Sequence, residues 1–109
     1  MKKLSLAVLS FALLAPIAHG ATKEVLVKDD FFEPQRVTIQ KGDKVTWRWR
    51  GDDLHNVALK KPDRRAIFRA SELQVNGRFT FKFRRIGTWR YLCENHPEDM
   101  RGKVVVRSP

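Results

Sequence analysis

The chain is short of several residue types, and each shortage narrows what it can be. It has a single cysteine, Cys93, so it cannot form an internal disulfide. Its one long apolar run, residues 4–15, is about a dozen residues, whereas a membrane-spanning helix needs roughly 20. It has no internal repeat, low-complexity tract or linker. These features predict one small domain with no stable membrane insertion.

The apolar run belongs to a predicted secretory signal peptide, residues 1–20. Lys2 and Lys3 precede it, and Ala18-His19-Gly20 places small residues at positions −3 and −1 of a cleavage site. The alternative is a retained anchor or a buried helix, which the short run and the cleavage signal disfavour. We therefore expect export to the periplasm and a mature, monomeric domain of residues 21–109.

Beyond the leader, short β-forming stretches are separated by turn residues, with little helical periodicity. Val45, Trp47 and Trp49 alternate with polar residues, as expected for a strand with one buried face. Eight strands are predicted: Glu24–Lys28, Arg36–Gln40, Lys44–Arg50, Asn56–Lys60, Ala66–Ala70, Arg78–Arg84, Thr88–Cys93 and Lys103–Arg107. This spacing predicts an all-β, Greek-key antiparallel β-sandwich. The segment Ser71–Leu73, which follows the fifth of these strands, could form a helical turn.

Removal of the leader leaves a small set of metal-binding side chains. The mature chain keeps His55, Cys93, His96 and Met100, three of them within eight residues. A Cys, two His and a weakly bound Met form a type 1 copper centre, whose soft ligands suit both oxidation states. The sequence thus predicts one copper ion, Cu(I)/Cu(II), provided that the fold brings His55 to the other three. A bound metal would also protect an unpaired thiol in an oxidising compartment.

Other interpretations of the same residues remain open at this point. Taken singly, Cys93 could be an inert buried thiol, His55 a hydrogen-bonded loop residue and Met100 a core residue, which are the commoner roles of these residue types. A zinc site formed by Cys93, His55, His96 and Glu98 is a further alternative that ligand type does not exclude. The joint occurrence of the four residues in an exported β-chain favours copper.

Two segments carry a family resemblance that covers essentially the whole mature chain. Residues 91–106, with Cys93-Glu-Asn-His96-Pro-Glu-Asp-Met100, and residues 32–47 followed by His55-Asn-Val57 resemble the plastocyanin, pseudoazurin and amicyanin group of cupredoxins, most closely the amicyanins. The resemblance implies a Greek-key sandwich, a single blue copper ion and a periplasmic one-electron carrier. It also implies that His55, Cys93 and His96 are equatorial ligands and that Met100 is the axial ligand.

The chain departs from that group at three places near the predicted site. The spacing His96-x-x-x-Met100 is one residue longer than in amicyanins and one shorter than in plastocyanins and pseudoazurins. Glu94 replaces a small hydroxyl residue after the Cys, and Trp49 replaces an Asn that in relatives links the two ligand regions. We expect that link to take another form here. Glu94, Glu98 and Asp99 are either solvated or close enough for one of them to perturb the axial position.

Charge suggests the kind of partner. The chain has 22 Lys and Arg against 12 Asp and Glu, and two of the lysines leave with the leader, so the mature net charge is +8. Basic pairs occur at Lys60–Lys61, Arg64–Arg65 and Arg84–Arg85. Such a balance predicts docking to an acidic redox protein, although it also serves solubility. Nucleic acid is disfavoured because the chain is exported and has no binding motif.

The predicted function is a mobile one-electron carrier between redox partners, with copper storage or delivery as the alternative. An enzyme is disfavoured. Beyond the predicted ligands, the mature chain has no second Cys and no His free to act as a base.

Overall fold

The computed structural model describes residues 20–63 and 67–109; the predicted signal peptide, apart from Gly20, lies outside them. The described residues form strands and no helix. The strands are β1 (Thr22–Lys28), β2 (Phe31–Glu33), β3 (Arg36–Gln40), β4 (Lys44–Trp49), β5 (Ala58–Lys60), β6 (Ile67–Arg69), β7 (Arg78–Lys82), β8 (Gly87–Leu92) and β9 (Arg101–Arg107). None of this part of the chain is a helix that could cross a membrane.

The strands form two sheets. One has four strands in the order β2-β1-β4-β7, and the other has five in the order β3-β9-β8-β5-β6. The predicted all-β sandwich is confirmed. Each sheet also contains one parallel pair, β1 with β4 and β3 with β9, among otherwise antiparallel neighbours. The chain crosses repeatedly between the sheets, and each of these parallel neighbours is reached only after such a crossing.

The alternating pattern of the sequence explains which side of each sheet is buried. In β4, Val45, Trp47 and Trp49 are buried, whereas Lys44 is exposed. Trp47 projects into the space between the sheets and meets Tyr91 of β8 edge to face, with ring centroids 5.3 Å apart. An aromatic pair of this kind contributes about 0.5–1.5 kcal/mol beyond the area that it buries. Aromatic side chains therefore contribute to the packing of the two sheets against each other.

Each of the eight predicted strands has a counterpart in the structure, with shifts at most of their ends. Arg36–Gln40 matches β3 residue for residue, whereas the strand predicted from Asn56 begins only at Ala58. Strand β2 was not predicted because three residues are too few to show an alternation. Ser71 does not begin a helical turn; its Oγ instead accepts a hydrogen bond from the Val57 backbone N–H at 2.8 Å. Ala66, at the start of another predicted strand, lies outside the described residues.

The register of the five-stranded sheet decides where the predicted ligands lie. Strand β8 pairs with β5 on one side, with Ala58 opposite Leu92, and with β9 on the other. The pairing is antiparallel, so the residues just before β5 lie beside those just after β8. His55 and Cys93 are therefore brought together at one end of the sheet.

Candidate metal centre

The loop from Cys93 to Met100 is closed by its own backbone. The Cys93 N–H donates to the Met100 carbonyl at 3.0 Å, and the Met100 N–H donates to the His96 carbonyl at 3.0 Å. The His96 N–H in turn donates to the Cys93 carbonyl at 3.1 Å. These bonds hold the three residues in one compact turn between β8 and β9. Cys93, His96 and Met100, which are close in the sequence, are therefore also close in space.

His55 reaches the same place from the segment before β5. Its backbone N–H and carbonyl both pair with Gln74 at 3.0 Å, and its carbonyl also accepts a 2.9 Å hydrogen bond from the Trp49 indole. The His55 side chain is completely buried. The histidine is therefore fixed by a rigid scaffold, as a pre-organised ligand requires.

Three donor atoms converge at this end of the sandwich. Cys93 Sγ lies 3.8 Å from His55 Nδ1 and 3.9 Å from His96 Nδ1, and the ligand atoms of the three residues all lie within 4.8 Å of one another. A metal about 2.3 Å from sulfur and about 2.0 Å from each nitrogen, in a trigonal arrangement, would separate sulfur and nitrogen by about 3.7 Å. Both sulfur–nitrogen distances are close to this value, so the three donors can bind one metal ion. Bond lengths of this size suit zinc and copper alike.

The tautomer of His55 is set by Asp29, in the turn between β1 and β2. The Asp29 carboxylate can only accept, so His55 Nε2 donates to it at 2.9 Å, and Nδ1 is left with its lone pair facing Cys93. The same carboxylate accepts two backbone N–H bonds, from Asp52 and Asp53. The His55 hydrogen bond, followed by these two, lowers the pKa of Asp29 to about 2.

A glycine makes room for this carboxylate. A Cβ atom at Gly51 would lie 2.2 Å from Asp29 Oδ1, so a larger residue there would displace the carboxylate from His55. His96 has a weaker acidic neighbour, since its Nε2 lies 3.7 Å from Oδ1 of Asp30, an exposed residue. The turn between β1 and β2 therefore supplies a carboxylate on the far side of each imidazole.

The remaining acidic side chains do not join the donor cluster. Within residues 20–63 and 67–109, the metal-competent group contains no carboxylate, and Glu98 and Asp99 are exposed. The Glu94 carboxylate is turned toward Arg69 and Asn56, which lower its pKa in that order of importance. The zinc alternative with Glu98 as fourth ligand thus gains no support. Met100 is completely buried and joined by backbone bonds to Cys93 and His96, and its role as axial ligand stays a prediction.

Asn56 joins the two ligand-bearing segments, in place of the link that the family resemblance placed at residue 49. Its Oδ1 accepts from the Glu94 N–H at 2.8 Å and its Nδ2 donates to Glu94 Oε1 at 2.6 Å. Arg69 Nε donates to the same carboxylate oxygen, Glu94 Oε1, at 2.9 Å. Trp49, at the position of the missing Asn, is a core residue. The two ligand-bearing segments are therefore joined through Asn56 and Glu94.

Sequence reasoning missed Asp29 and Asn56. Asp29 is 26 residues from His55 along the chain, and nothing in its Asp-Asp turn distinguishes it from any other acidic turn. Asn56 had a signal, since the antiparallel register that places Ala58 opposite Leu92 also places Asn56 opposite Glu94. That signal could be used only once the two strands were known to be neighbours.

Comparisons with known proteins agree with this geometry. Residues 21–107 match the family model of copper binding proteins of the plastocyanin/azurin family. The chain is 32% identical to amicyanin-alpha of Methylorubrum extorquens, with 92% of each chain covered. It is 35% identical to the chloroplastic plastocyanin of Tetradesmus obliquus over 90% of this chain and 72% of that one. The crystal structure of amicyanin from Paracoccus versutus is similar, with a TM-score of 0.66, 31% identity and coverage of 85% and 87%.

Proposed function

Because the chain belongs to the plastocyanin/azurin family of copper-binding proteins, we propose that it is an exported, mobile one-electron carrier with a type 1 copper centre. The proposed ligands are His55, Cys93 and His96 in the equatorial positions and Met100 in the axial position. The working form is residues 21–109, a periplasmic monomer released from its signal peptide. It acts on redox proteins rather than on a small-molecule substrate.

The observation that carries the proposal is the convergence of three soft donors that are already in place. Cys93 and His55 are completely buried, and both their backbones and the His55 ring are held by hydrogen bonds. Copper would supply the one-electron couple. The protein would contribute a fixed ligand geometry that changes little between Cu(II) and Cu(I), which keeps the reorganisation energy of electron transfer low.

His96 is the proposed exit for the electron. Its side chain is 26% exposed, whereas His55 is completely enclosed. It is followed by Pro97, which is exposed at the tip of the loop. A partner that touches this end of the sandwich would meet the edge of one ligand directly, without any need to open the fold.

A redox titration of the copper-loaded protein tests the proposed function against copper storage or delivery. An electron carrier should show a reversible one-electron midpoint and fast electron self-exchange, and it should keep its copper in both states. Copper that leaves readily for an acceptor chelator on reduction, without a reversible midpoint, would refute the carrier function and favour delivery.

A further inference from the structure

The outward side of the five-stranded sheet carries an uninterrupted row of cations. Arg36 of β3 lies directly opposite Lys103 of β9, Lys103 lies opposite Arg90 of β8, and Arg90 lies opposite Lys60 of β5. Neighbouring strands are about 4.8 Å apart, so the row crosses four strands over about 14 Å. We call these four residues, together with Arg101, the basic face.

Such a row works against the stability of the sheet. Like charges directly opposite each other on neighbouring strands are destabilising. No strand of this sheet contains an Asp or Glu, and no ion pair joins the four residues of the row to any acidic group in the part of the chain that the structure describes. The charge of the row is therefore left available to a partner.

The other sheet shows that this arrangement is not general. It also has opposed cations, Lys44 with Lys82 and Arg48 with Arg78. There, however, Glu24 accepts a 2.9 Å hydrogen bond from Arg48, so acidic groups lie among the cations. The basic pairs recognised in the sequence do not explain the face either. Of these, Lys60 belongs to the row, whereas Arg85 pairs with Asp63 and Arg64–Arg65 lies outside the described residues.

The basic face is shaped as well as charged. Two adjoining depressions of about 230 and 180 Å³ lie along it, and both are lined by Arg90, Gly102 and Arg101. Arg101 is held in place, since its Nε donates to the Pro97 carbonyl at 2.7 Å. Side chains from a partner could enter these depressions between the cations.

The face also lies close to the donor cluster. Arg90 of β8 is three residues before Cys93, about 10 Å along an extended chain. Lys103 of β9 is three residues after Met100. A partner bound there would contact the two strands whose ends carry the proposed ligands. It would also cover Leu92, the half-buried residue that precedes Cys93.

We propose that the basic face is the docking surface for a carboxylate-rich surface of a redox protein. The proposal rests on the carrier function, because a carrier must bind its partners reversibly and charge complementarity speeds such encounters. The face offers cations spread across four strands, and the bond from Arg101 to Pro97 connects it to the loop that carries His96, the proposed exit for the electron. This arrangement suits a protein surface with dispersed carboxylates.

The test uses a peptide of ten glutamates as a model of that surface. The peptide is titrated into the ¹⁵N-labelled, Cu(I)-loaded full chain at low ionic strength, where charges are weakly screened. The amide signals of β3, β5, β8 and β9 should shift, and added salt should reverse the shifts. The same titration with phosphatidylglycerol vesicles tests a membrane surface as the partner.

A matched pair of variants separates the face from net charge. Arg90→Glu with Lys103→Glu should weaken peptide binding about tenfold or more, whereas Lys44→Glu with Lys82→Glu changes net charge by the same amount on the other sheet and should weaken it about twofold. Equal losses in the two double variants, shifts confined to the four-stranded sheet, or binding to the vesicles alone would overturn the proposal.

This titration and the redox titration can fail separately. A reversible midpoint without peptide binding at the basic face refutes the docking surface and leaves the carrier function intact. Peptide binding at the face without a reversible midpoint refutes the carrier function and, with it, the redox nature of the partner.

Discussion

Replacement of Asn56 by alanine should destabilise the protein by about 2 kcal/mol. The substitution removes the bond from the Glu94 N–H to Asn56 Oδ1 and the bond from Asn56 Nδ2 to Glu94 Oε1. A typical hydrogen bond contributes about 1 kcal/mol, so the loss of these two bonds amounts to about 2 kcal/mol. The bond from Asn56 to the Glu94 carboxylate is given only this ordinary value, although the carboxylate is charged. The Glu94 side chain is 39% exposed, so water can replace Asn56 as its hydrogen-bond donor.

Urea unfolding of the metal-free protein, followed by tryptophan fluorescence, measures this effect without a contribution from metal binding. For a domain of this size, about 2 kcal/mol corresponds to a melting temperature lower by about 10 °C. Asn95→Ala is the matched control. Asn95 makes one exposed hydrogen bond, to the Leu54 carbonyl, and its loss should cost less than about 0.5 kcal/mol. A loss below about 0.5 kcal/mol for Asn56→Ala, or equal losses for both variants, would refute the reasoning.

Two further predictions concern the surroundings of the site. Gly102→Ala should lower the free energy of unfolding by about 1–3 kcal/mol, because the new Cβ would lie 2.4 Å from the Tyr91 ring; urea unfolding that matches the wild type would contradict this. The pKa of Asp29 is lowered to about 2 from 3.8, so its stabilising contribution is complete above about pH 4 and is lost as the pH falls toward 2. The difference in unfolding free energy between wild type and Asp29→Asn, measured without metal, should therefore shrink over that range, and a constant difference would be evidence against the His55–Asp29 contact.

The fold and the donor cluster were largely predictable because their signals are local. Alternation in residues such as Val45 and Trp47 identifies a half-buried strand wherever it occurs. Cys93, His96 and Met100 are so close along the chain that one turn brings them together. The position of His55 could not be predicted from local sequence, since it depends on the pairing of β5 with β8. The family resemblance predicted that His55 joins the other ligands before the structure showed this pairing.

Features that depend on strand register could not be read from the sequence. The row of Arg36, Lys103, Arg90 and Lys60 draws one residue from each of four strands, so it forms only when those strands pair in this register. Basic pairs adjacent in sequence were a poor guide, because the described pairs lie at or beyond the ends of strands and only Lys60 belongs to the row. The contact between Asp29 and His55 likewise arises only when the turn after β1 meets the segment before β5.

The optical spectrum of the Cu(II)-loaded protein, compared with that of Cys93→Ser, tests the central claim most directly. The proposed centre predicts one copper ion per chain and an intense visible band from thiolate-to-copper charge transfer. The band should be absent in Cys93→Ser, and matching circular dichroism spectra would confirm that this variant folds. A colourless Cu(II)-loaded wild type, or a band that persists in Cys93→Ser, would contradict the assignment of Cys93 as the copper ligand.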